Sequence, residues 1–142
     1  MFDHPLLQFG ERCVEAGFVP IGQRATLWER IGAEERACSP EDEPTEGVLS
    51  IDEVGGGRWD GWRGRVATVT ASLPTDPDHV EAEQDRVIRD LTAIFGEPRI
   101  RRGHRDTVCR WRVNGWTIEV SVDAVERNRV ELTVADRELL DA

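Results

Sequence analysis

An α+β fold, with a mostly antiparallel sheet of five or six strands and helices packed on one face, is what the sequence predicts. Three observations carry that prediction. Alternating apolar and polar residues flank Asn114-Gly115, the dipeptide that favours a two-residue type I′ hairpin. An apolar stripe, Val80, Val87, Leu91, Ile94 and Phe95, recurs at helical spacing and stops at Gly96 and Pro98. The order of elements is two helices, strands, a long helix and three strands, so helices and strands are segregated rather than alternating.

The N-terminal helix starts with Pro5 in its first turn, carries Leu6, Leu7, Phe9, Cys13, Val14 and Ala16, and ends at Gly17. Phe18-Val19-Pro20 reads as a connector. Leu27, Trp28 and Ile31, followed at once by Gly32, predict a second short helix within Gln23 to Ile31. Ala33 to Pro40 offers an edge strand, and Ser39 to Pro44 is polar and proline-rich enough to read as an exposed loop. Val48 to Val54 and Arg65 to Leu73 read as strands. In the second, Ala67, Val69, Ala71 and Leu73 share one face, and Val66, Thr68, Thr70 and Ser72 the other.

Between those strands, neither Asp60-Gly61 as a tight turn nor Gly55-Gly56-Gly57 as a bend aligns every apolar residue, which predicts a bulge. Asp76 or Asp78 is placed to cap the long helix, and its early acids suit the positive end of the helix dipole. Arg99 to Asp106 reads as a basic loop. In the hairpin beyond it, pairing Val113 with Trp116 sets Trp111 against Ile118 and Cys109 against Val120 on the core side. Arg112 then opposes Thr117, and Arg110 opposes Glu119 as a cross-strand ion pair. After a loop at Asp123 to Asn128, Val130, Leu132 and Val134 complete a three-stranded meander.

The 142 residues make one domain, long enough to bury a core without disulfides or metal. The first residues lack the basic flank and apolar core of a signal peptide, and no apolar run would cross a bilayer, so a cytoplasmic address and no membrane partner are expected. Cys13, Cys38 and Cys109 show no paired spacing and are expected to be reduced thiols. A net charge of −10 argues against nucleic acid as a partner. The charge is unevenly spread. Glu34, Glu35, Glu41, Asp42, Glu43 and Glu46 form an acidic run and Arg99 to Arg112 a basic one, either of which marks a surface for a charged partner or complements the other internally.

No catalytic motif, calcium loop, phosphate loop or zinc pattern occurs, and no cofactor is expected. His4, His79 and His104 read as surface histidines. Trp28, Trp111 and Trp116 belong to apolar patterns and are assigned to the core. Trp59 and Trp62, among Arg58, Arg63 and glycines, have the composition of an interface hot spot, or else pair across a hairpin to seal the sheet edge.

The run Phe95-Gly96-Glu97-Pro98, then Val108 to Val113, Trp116 to Val120 and Val130 to Val134, resembles a family of small uncharacterised actinobacterial proteins, some of which look like immunity proteins of polymorphic toxin systems. The likeness covers about Phe18 to Val134 and is one of pattern; it implies a single-domain binder that neutralises a basic toxin through complementary charge. The expected function is therefore non-enzymatic protein binding, as a monomer or homodimer. The candidate contact residues are Trp59, Trp62, Arg58, Arg63, Glu41, Asp42, Glu43, Arg110 and Arg112. The rival readings are a secretion-chaperone-like adaptor for a client segment and, behind it, a small-molecule binder or enzyme.

Overall fold

A computed structural model describes residues 3–36, 44–102, 107–122 and 127–136. Helix α1 (Pro5–Ala16) begins with proline after an N-cap at His4, whose Nδ1 accepts the Leu6 N–H, and ends at Gly17 (φ 72°). A 3-10 turn at Ile21–Gln23 leads into α2 (Arg24–Ile31), which closes on left-handed Gly32. Strands β1 (Ala33–Arg36), β2 (Glu46–Ile51), β3 (Gly55–Trp62) and β4 (Arg65–Pro74) follow. Helix α3 (Val80–Phe95) then leads to β5 (Arg99–Arg102), β6 (Thr107–Val113), β7 (Trp116–Val122) and β8 (Arg129–Asp136).

The α+β class stands, but among the described residues the sheet has eight antiparallel strands in the order β1-β2-β3-β4-β8-β7-β6-β5, not five or six. The C-terminal meander is four-stranded, because Arg99–Arg102 is an edge strand rather than a loop. Its four residues are all exposed, which hid it from hydrophobic patterning. Two four-strand meanders, each entered from a helix, join back to back through β4 and β8.

The β6–β7 register is the one the Asn114-Gly115 turn dictates, with both turn residues at positive φ (47° and 86°). The β3–β4 hairpin instead turns at Arg63-Gly64 (φ 52° and 77°), and the bulge falls between Asp60 and Gly61, with Ala67 as the extra residue. That bulge moves Val66 from the predicted polar face to the core, where it is inaccessible.

All three helices pack on one face of the sheet. Cys109, Trp111, Ile118, Val120, Leu132, Val134, Val69, Ala71, Leu49 and Trp59 meet Leu6, Leu7, Phe9, Leu27, Trp28, Val87 and Leu91 there. Gly10 lets α1 come down on β8, since a Cβ on it would sit 3.3 Å from Leu132 Cδ2. Cys13 and Cys109 are free and buried, and burial pushes both thiols up from their usual range. Cys38 and His104 lie outside the described residues. Ile94 departs from its predicted stripe and is 54% exposed.

His4 is not a surface residue. It is buried, and with Nδ1 occupied by the Leu6 N–H its Nε2–H faces Glu83 Oε1 on α3. Replacing His4 by Ala removes the cap and the α1–α3 tie together, and should cost about 1–2 kcal/mol in urea denaturation. A loss below about 0.3 kcal/mol would show that the cap contributes nothing.

Candidate functional site

The face of the sheet turned away from the helices carries no helix among the described residues. Strand alternation assigns its residues. One row runs across all eight strands: Arg36, Val48, Arg58, Thr70, Thr133, Glu119, Arg110 and Arg99. At about 4.8 Å per strand it spans about 34 Å. At its centre the Thr70 and Thr133 hydroxyls bond to each other at 2.8 Å, on the seam between the two meanders. Beside them Glu131 accepts from Arg58 Nη1 at 2.7 Å and Arg58 Nη2 at 3.4 Å, and from Ser72 Oγ at 3.0 Å. Farther out, Arg110 Nε donates to Glu119 Oε1 at 2.6 Å, the predicted pair, and Thr68 donates to Asp60 at 3.2 Å.

Carboxylates therefore hold two of the arginines in fixed geometry, and a guanidinium, with five N–H donors in a planar fork, can engage a second acceptor while braced by the first. The charge is not uniform across the face. Arg99, Arg101, Arg110 and Arg112 gather at the β5–β6 corner, with Glu119 beside them; Glu34, Glu46 and Asp60 lie toward the β1–β3 corner. A chain of net charge −10 thus presents a locally basic corner.

The nine sequence-predicted contact residues do not form one site. Arg58, Arg110 and Arg112 share the open face. Trp62 is 50% exposed at the end of β3, with the Arg63 guanidinium carbon 5.8 Å from its ring centroid. Trp59 is a correction. It is 1% exposed and points into the core, because residues three apart in a strand face opposite sides. The two rings accordingly do not pair across a hairpin. Glu41, Asp42 and Glu43 lie outside the described residues. Arg99 and Arg101 belong to the basic run that the sequence offers as a surface for a charged partner; that they stand on a strand, alternating around Ile100 and so sharing the open face, was obscured by Arg102.

Two depressions lie away from this face. Beside α2 and β1, a shallow one of about 720 Å³ holds Arg24, Trp28 and Glu35, whose polar atoms serve one another: Arg24 grips Glu35 at 2.7 and 3.2 Å, and Trp28 Nε1 donates to Glu35 at 3.2 Å. The other is an apolar cleft between α1 and α3, of about 320 Å³. Among the described residues, no three His, Cys, Asp or Glu side chains converge on a point that could hold a metal, and no helix is long and apolar enough to cross a membrane. Compared with known proteins, the chain matches no family model, and no curated protein or solved structure shows significant similarity to it.

Proposed function

We propose that the chain is a non-enzymatic protein-binding module, most concretely an immunity- or antitoxin-like inhibitor that covers its partner with the open face of the sheet. The supporting observation is the face itself: arginines braced by Glu131 and Glu119 on a rigid sheet, with an exposed tryptophan at the rim. These are the residue types that dominate interface energetics, held where little entropy is lost on contact. The charge gradient orients an arriving protein, and the corner at Arg99, Arg101 and Arg112 calls for an acidic patch on it. The acidic side of the same face, at Glu34, Glu46 and Asp60, suits the basic partner that the family resemblance implies.

The test is affinity capture from lysates of the encoding organism at two salt concentrations, with wild type and Arg99→Glu/Arg112→Glu side by side. A stoichiometric partner held by wild type and lost by the variant is expected, with affinity down at least about tenfold, or about 1.4 kcal/mol. Identical recovery with both proteins, or none with either, would sink the open-face reading. Both substitutions are at exposed positions, so unfolding would not confuse the outcome.

A further inference from the structure

The cleft between α1 and α3 lies on the other side of the sheet from the open face, and the fold explains why it exists. His4 and Glu83 tie the two helices together near their N-terminal ends. Both rest on β8 but hardly touch each other. Leu132 and Ile118 form the floor, Leu7, Gly10 and Val14 one wall, Leu91 and Phe95 the other. Gly10, with no side chain, brings the α1 wall down onto Leu132 of the floor.

The apolar surface does not stop at the cleft. Val14 and Phe95 at its lip are 38% and 37% exposed, and Ile94, outside the lining, is 54% exposed. An occupant with several apolar side chains spaced along a rod would cover Val14 on one lip and Phe95 on the other, and a volume of about 320 Å³ suits two or three of them. The polar groups of the rim select its charge. They are Glu11, Glu15 and Asn114, and neither glutamate has an ion-pair partner among the described residues. A second copy docked cleft to cleft would bring glutamates against glutamates.

We infer that the α1–α3 cleft receives an amphipathic helix of a partner protein, its Leu-, Ile- or Phe-type anchors between the helices and Lys or Arg flanking them against Glu11 and Glu15. The inference goes beyond the open-face reading. Because the two surfaces lie on opposite sides of the sheet, substitutions in one leave the other intact, and either reading can fail alone.

The probe is a fluorescein-labelled fourteen-residue Leu/Lys amphipathic peptide, read by anisotropy, with its Leu/Glu counterpart and decyltrimethylammonium as competitors. Saturable one-to-one binding of the Leu/Lys peptide is expected. Affinity should fall about tenfold or more in Phe95→Gln and in Val14→Gln, and also in Glu11→Lys/Glu15→Lys, but not in Arg58→Ala/Arg112→Ala. Amide shifts in the labelled protein should gather on residues 7–15 and 91–95. Any of four results overturns the inference: no saturation; equal loss in the open-face variant; one-to-one binding of the surfactant without the peptide; or peptide binding only after residues 137–142 are removed, which would make the chain's own end the occupant. Sedimentation showing a dimer that Phe95→Gln dissolves would assign the cleft to a second copy and overturn it as well.

Discussion

Trp59→Ala should destabilise the protein by about 3–5 kcal/mol, the range for emptying a buried aromatic site, whereas Trp62→Ala should change stability by less than about 1 kcal/mol. Both carry the same side chain three residues apart, so the contrast isolates burial. Trp59 is 1% exposed, with its ring 5.8 Å from that of Trp28 at an interplanar angle of 51° and the Arg24 guanidinium 5.7 Å from its centroid. It lies flat on β2, where a Cβ on Gly47 would fall 2.4 Å from its Nε1. That Nε1 is buried with no hydrogen-bond partner among the described residues, a penalty of about 1–3 kcal/mol already built into the native state. Trp59→Phe removes the orphan donor with part of the ring and should therefore cost about 1 kcal/mol or less. Equilibrium denaturation in urea checks all three variants. Equal, small losses for Trp59→Ala and Trp62→Ala would contradict the core assignment.

The same pair of residues shows where sequence reading succeeds and where it stops. Local signals were legible: the Asn114-Gly115 turn sets the β6–β7 register residue by residue, and Pro5 with Gly17 brackets α1. Features that depend on a distant partner were not. His4 is buried because Glu83, 79 positions away, comes to meet it. Edge strand β5 carries charges where pattern methods look for apolar residues, since an edge is protected by charge rather than by burial, whereas the other edge, β1, falls within the edge strand expected at Ala33 to Pro40. The open face was readable strand by strand as a polar side. Its cross-sheet row was not, because it depends on β4 pairing with β8, as when Thr70 meets Thr133, 63 positions on. The Arg58–Ser72–Glu131 cluster exists only through that pairing.

Gly57→Val should be among the most disruptive single changes in the chain, costing about 3 kcal/mol or more, while Gly56→Ala should be neutral or stabilise by up to about 1 kcal/mol. The three glycines Gly55 to Gly57 look in sequence like one flexible bend, yet they occupy β3 and each meets a different constraint. Gly55 has φ +123°, a conformation that side chains rarely adopt. A Cβ on Gly56, which faces the open side of the sheet, would meet nothing within 4 Å, so alanine there only limits the unfolded chain. At Gly57 a Cβ would lie 2.4 Å from Ile51 Cδ1 and 2.5 Å from the Thr70 carbonyl oxygen. Ile51 can rotate away; the carbonyl belongs to the backbone of β4 and cannot move without opening the β3–β4 ladder. That ladder sets Arg58 opposite Thr70, so the strain reaches the centre of the open face. Gly57→Val should then lower the melting temperature and weaken partner capture in the molecules that still fold, whereas Gly56→Ala keeps both. Melting curves indistinguishable between the two variants would mean that β3 does not run in this register.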